Sequence, residues 1–102
     1  MAAADAWWEA TALSPTVYPH LAVIRAFVDG RLTAAEFEVA YLNLFKYDPH
    51  LHGEAVARSL ERLFTEVDEF VADPDLRARV GGSDEVTLRR VAKETLARLT
   101  GA

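Results

Sequence analysis

The 102-residue chain contains no cysteine, so it can form neither a disulfide nor a thiolate metal site. No apolar run reaches the roughly 18 residues that a membrane span needs. Met1-Ala2-Ala3-Ala4-Asp5 lacks a basic region followed by an apolar one. The protein is therefore expected to stay in the cytoplasm, where it is made. Strand signals are nearly absent, because no alternating run of β-branched residues is long enough. No Gly-rich phosphate loop follows a strand, and Gly81-Gly82 alone is a weak signal. Ser14, Ser59 and Ser83 lie beside caps or within a helix, and none sits in a Gly-x-Ser-x-Gly turn. Exposed carboxylates stay ionised and make poor general acids. No catalytic residues and no cofactor are expected, and the protein is read as a non-enzyme. Basic residues are also in deficit: 11 Lys and Arg face 16 Asp and Glu, a formal net charge of −5. That balance argues against direct nucleic-acid contact, which needs clustered cations. It suits a basic protein partner.

What is present reads as one domain over 1–102, all-α, in the form of a small antiparallel four-helix bundle. A short extension occupies 1–13, and helices are expected over 14–29, 33–46, 53–70 and 84–100. Ser14-Pro15 supplies an N-cap followed by proline at the first helical position. Val17, Leu21, Ile24 and Val28 then form a stripe that Gly30 ends. Thr33-Ala34-Ala35-Glu36 is a capping box, with Phe37, Tyr41, Leu44 and Phe45 on the following face. Val56, Leu60, Leu63, Val67 and Phe70 alternate steps of four and three, the spacing of a bundle seam. The start of that helix is open between Asp48-Pro49 and Gly53. Leu88, Val91 or Ala92, Thr95 and Leu99 make the inner face of the last helix. The longest connection runs from Val71 to Ser83, and Asp73-Pro74-Asp75-Leu76 could start a single extra turn within it.

Glu66-Val67-Asp68-Glu69-Phe70-Val71-Ala72-Asp73-Pro74-Asp75 carries five carboxylates and no base. Carboxylates in the last turn of a helix oppose its macrodipole, at a cost of about 0.3–1 kcal/mol each. Broken rules of this kind collect at functional sites. Glu54, Glu61 and Asp68 recur every seven residues and so share one side of the third helix. Glu66 and Glu69 add a second row, and Arg58 and Arg62 interrupt the field. Asp73 has a structural alternative as the cap of a turn at Pro74. Arg77 and Arg79 could fold back to neutralise neighbours.

Asp48-Pro49-His50-Leu51-His52-Gly53-Glu54 alternates histidines and carboxylates, but could converge on a metal only if the backbone were extended. An exposed turn with incidental histidines, and no metal, is the expectation. Trp7 and Trp8 are read as a cover for the open end of the bundle, with one of the two left partly exposed. Tyr47 falls outside its apolar stripe. It is a candidate partner anchor, or else rim packing.

Taken together, the run from Leu21 through Gly30, the segment Leu32-Thr33-Ala34-Ala35-Glu36-Phe37, Tyr41-Leu42-Asn43-Leu44-Phe45-Lys46, and the later Leu63-Phe64-Thr65-Glu66-Val67-Asp68-Glu69-Phe70 with Asp73-Pro74-Asp75-Leu76-Arg77 resemble a known family. This is the bacterial self-protective, colicin-like immunity proteins of the colicin D type. The resemblance spans about Leu21 to Arg77. It implies a small helical inhibitor that binds the nuclease domain of a cognate toxin, with acidic residues in place of substrate phosphates. The matching acidic positions are Glu66, Asp68, Glu69, Asp73 and Asp75. The chain departs from the family in its Trp-containing extension and its Gly81-Gly82 linker.

The expected partner-binding set is therefore Glu61, Glu66, Asp68, Glu69, Asp73, Asp75 and Tyr47. The expected partner is a basic nuclease toxin domain, met by a monomer with no direct contact to nucleic acid or membrane. Two other classes stay in view. One is a helical adaptor or homodimerisation module, which a dimer in solution would favour. The other is a small metal-dependent hydrolase using His50 and His52, which bound metal would favour.

Overall fold

The computed structural model describes residues 15–101. The expected cap at Ser14, and Trp7 and Trp8, lie outside the described residues. Pro15–Val17 form a 3-10 turn, and the first α-helix, α1, follows at Tyr18–Val28. Pro19 falls in its first turn, where a missing N–H costs no helical bond. At Gly30 the backbone turns left-handed, with φ +81°, and the chain leaves the helix.

Helix α2 spans Ala34–Tyr47, and its capping box is complete. The Glu36 N–H donates to Thr33 Oγ1 at 3.1 Å, and the Thr33 N–H donates to Glu36 Oε1 at 2.9 Å. Helix α3 begins at Glu54, after Gly53, and runs to Glu69. Residues 48–53 are thus a connection without helix or strand, and the Asp48 carboxylate accepts from the His50 N–H at 3.0 Å.

The expectation of four helices needs correction, because five α-helices lie among the described residues. The segment from Val71 to Ser83 holds a seven-residue helix, α4, at Pro74–Val80. Asp73 caps it by accepting from the Asp75 N–H at 2.9 Å. It buries no side chain, so it carries no apolar period from which it could be read. Helix α5 spans Glu85–Thr100, and Asp84 caps it by accepting from the Thr87 N–H at 2.8 Å.

The four longer helices pack as a closed set: α1 against α2 and α5, and α3 against α2 and α5. Helix α4 stands outside that set. No strand forms among the described residues. A single parallel bridge joins Phe70 to Ser83 and ties the two ends of the α4 excursion together.

The seam read from α3 is the buried one: Leu60, Leu63, Val67 and Phe70 are in the core, with Val56 packed against it. In α5, Leu88, Val91, Ala92, Thr95 and Leu99 are all buried. The expected inner stripe is buried at Val17 and Ile24, but the face is shifted toward His20 and Phe27. His20, Ile24 and Phe27 are its buried residues, while Leu21 and Val28 are only partly covered. Phe27 stacks on Phe37 at 4.3 Å between ring centroids, and the Arg89 guanidinium lies over the Phe27 ring at 4.3 Å from its centroid. Each such ring contributes about 1.5–3 kcal/mol by burial. The Tyr41 hydroxyl donates to the Leu60 carbonyl at 2.7 Å, joining α2 to α3 inside the core.

Candidate functional site

The acidic surface is built on the end of α3 and the start of α4. Glu66, Asp68 and Glu69 occupy the last turn of α3, which contains no base. Ser83 N–H donates to the Glu69 carbonyl at 2.8 Å, and Val71 N–H donates to the Ser83 carbonyl at 3.0 Å. The end of the helix is therefore held by backbone bonds rather than by a cation. Asp68 and Glu69 line a shallow recess with Val71, Val80 and the Gly81-Gly82-Ser83 loop.

The expected residues are not equivalent. Glu61, Asp68, Glu69, Asp73 and Asp75 are exposed, and none forms an ion pair among the described residues. Glu66 is half-buried and accepts from the Ser83 hydroxyl, so it has a structural partner. Asp73 also serves as the α4 cap. Glu54 is paired with Arg58 at 2.5 Å, and Arg62 turns to Glu94 on α5 at 3.7 Å. Arg77 donates to the Val71 carbonyl at 2.8 Å, and its charge also favours the ionised Asp84 carboxylate rather than the acidic end of α3.

Tyr47, at the end of α2, is 70% exposed. It borders an apolar groove of about 550 Å³ with Pro15, Pro19, Ala40 and Leu44. The groove lies beside the connection that leads into α3, so the length of α3, about 24 Å, separates Tyr47 from Asp68 and Glu69.

The histidine-bearing connection departs from the exposed turn expected of it. The Asp48 and His52 side chains are only 11% and 9% exposed, whereas Pro49, His50 and Leu51 stand out at the surface. His52 Nε2 lies 2.5 Å from Asp48 Oδ2, and His50 Nδ1 lies 2.9 Å from Asp48 Oδ1. His20 of α1 completes the group, with Nε2 3.5 Å from Asp48 Oδ2. The His20 and His52 rings meet edge to face, 5.6 Å between centroids.

Burial holds the His20 imidazole below its ordinary value of 6.5, and His52 adds to this, while Asp48 opposes it. Burial raises Asp48, but hydrogen bonds from His52 and His50 outweigh it and keep the carboxyl well below the usual carboxylate range. His20 was not among the residues read as functional. Its one signal is a polar side chain three and four residues from helix-face neighbours that are buried.

Among the described residues, no helix is long and apolar enough to cross a membrane. No curated protein and no solved structure gives a significant match to the chain. A family profile, described as bacterial self-protective colicin-like immunity, matches residues 16–99, from the turn before α1 almost to the end of α5. That match takes in most of the sequence, and the chain belongs to the bacterial self-protective colicin-like immunity family.

Proposed function

We propose that the chain is a non-enzymatic, cytoplasmic inhibitor of a cognate bacteriocin-type nuclease, a ribonuclease of the colicin D kind. It acts as a monomeric antiparallel helical bundle that covers the toxin's basic active-site cleft and touches no nucleic acid itself. One observation carries the reading: Glu61, Asp68, Glu69, Asp73 and Asp75 are exposed carboxylates without ion pairs among the described residues. A cleft built to hold phosphate presents the cations that such a surface lacks. Complementary fields of this kind raise association rates and penalise wrong partners.

Glu66 contributes to the field while holding Ser83. Tyr47 offers an aromatic anchor at the other end of α3, of the type enriched at binding hot spots. An interface of ordinary size, about 800 Å² per partner, is wide enough to include both ends.

The test uses the purified chain and a basic nuclease toxin domain that it neutralises. Asp68→Lys with Glu69→Lys should slow association at least tenfold and abolish protection, with helicity unchanged. Undiminished inhibition by the double variant would rule out this surface as the binding site.

A further inference from the structure

We propose that His20, Asp48 and His52 form a binding site for one divalent transition-metal ion of the zinc class. The site goes beyond toxin binding and stands or falls separately from it.

The donor set comes first. His20 Nε2, His52 Nε2 and an Asp48 oxygen lie within 4.8 Å of one another. Two imidazoles and one carboxylate suit zinc, cobalt or nickel, whereas calcium and magnesium call for oxygen ligands throughout. Three protein ligands leave a fourth position for water.

Orientation is the second observation. Asp48 Oδ1 is held by the His50 N–H at 3.0 Å and by the His50 ring at 2.9 Å. That leaves Oδ2 facing both other histidines, at 2.5 Å from His52 and 3.5 Å from His20. Metal ligands are commonly fixed in this way by an outer layer of hydrogen bonds. His50 thus orients the carboxylate without being a ligand.

Burial is the third. His20 is 2% exposed. Neither of its ring nitrogens completes a hydrogen bond of good geometry, although the Thr16 backbone lies close enough to favour the protonated ring. A buried imidazole in this position loses its water contacts without full return. An apolar side chain would continue the Ile24 and Phe27 stripe at no such loss. An ion bound at Nε2 compensates the imidazole.

Among the described residues, access is open on two sides. His20 and Asp48 border the apolar groove beside Tyr47 and also a second recess lined by His52, Leu51 and Glu61. An ion can enter, and water can complete its shell.

His52 Nε2 and Asp48 Oδ2 lie 2.5 Å apart, too close for an ion to bind both without movement. On binding, the two atoms part to about 3.3 Å, as bonds of roughly 2.0–2.2 Å to one tetrahedral ion require. The ion would tie α1, the end of α2 and the connection to α3 at one point.

The test titrates the full chain, freed of metal by chelation, with Co²⁺ and then Zn²⁺. One equivalent of Co²⁺ should produce visible ligand-field bands that Zn²⁺ removes. In imidazole nitrogen spectra of the unmutated chain, Zn²⁺ should shift the Nε2 signals of both His20 and His52. His20→Asn and His52→Asn should each weaken binding at least tenfold, and His50→Ala by roughly tenfold, as loss of an outer-layer partner does. Absence of bands at one equivalent would overturn the site and leave a hydrogen-bonded cluster in its place. So would unchanged affinity in folded His52→Asn, or shifts confined to His50. If the variants unfold, the spectra of the unmutated chain decide.

Discussion

The Ser83 N–H donates to the Glu69 carbonyl at 2.8 Å, and this bond sets the direction in which the acidic end of α3 leaves the bundle. It can form only because Gly82 has no side chain. A Cβ there would stand 2.7 Å from the Glu69 oxygen and 2.7 Å from Val71 Cγ2, at a φ of +105°. Gly30 also has positive φ, +81°, but nothing lies within 4 Å of its Cβ position. Gly30→Ala should therefore cost only the backbone strain, about 1–2 kcal/mol. Gly82→Ala adds a clash with backbone and should cost more, about 2–4 kcal/mol. Denaturant unfolding of the two variants measures the difference. Toxin inhibition should suffer in Gly82→Ala alone.

The Tyr41 hydroxyl is a second long-range tie. It is fully buried, and burial pushes its pKa up, so it stays protonated and remains a donor to the Leu60 carbonyl. Tyr41→Phe keeps the ring in the core and removes only that bond. The expected loss is about 0.5–1.5 kcal/mol, read as a lower denaturation midpoint with an unchanged slope. A loss above this range would mean that the ring itself is displaced.

Acid sensitivity should come in part from two helix caps. The backbone and side chain of Thr33 hold Glu36 below its ordinary value of 4.5, and the Thr87 backbone N–H does the same for Asp84, ordinarily at 3.8. Both groups are depressed in the folded chain. Above the unfolded values their contribution is fully present, and it is lost as pH falls through the folded values. Gln and Asn cap without titrating. Glu36→Gln with Asp84→Asn should therefore melt near the parent temperature at pH 7. Below about pH 4 it should lose stability less steeply than the parent. Melting curves across that range give the answer, and parallel acid limbs would show that neither cap titrates with folding.

How much of this was legible before the structure depended on how far apart the partners lie. The α3 seam shows in the spacing of Leu60, Leu63 and Val67, because one helix makes its own pattern. The capping box at Thr33 and Glu36 is equally local. Of α4 only the start is legible, in the Asp73-Pro74 cap; its length is not, because Leu76 and Val80 remain exposed and burial writes no period into it. The inner face of α1 is legible at Val17 and Ile24 but not at His20, a buried polar residue that an apolar stripe does not count. The metal-competent cluster joins His20 to Asp48 across 28 positions of sequence. No local spacing encodes that meeting. His50 and His52 alone suggest an exposed turn, whereas in the fold His52 meets His20 of α1 edge to face.

The acidic end of α3 leads to a prediction in which stability and function move in opposite directions. Asp68 and Glu69 sit in the last turn, where the helix dipole disfavours negative charge. Each is exposed, without an ion pair among the described residues, and next to the other. Removing the charge while keeping the shape, Asp68→Asn with Glu69→Gln, should stabilise the fold by about 0.3–1 kcal/mol at low ionic strength. The same change should slow association with the toxin domain, and the parent's advantage should shrink as salt is added, because steering is screened over about 10 Å at 0.1 M. Unfolding curves and association rates at two salt concentrations test both halves. A stabilised variant that associates as fast as the parent would place the binding surface elsewhere on the molecule. A destabilised variant would show that the two carboxylates have a role in the fold itself. Stabilisation together with slower, less salt-dependent association is the pattern expected if these charges are kept for a partner at some expense to the helix.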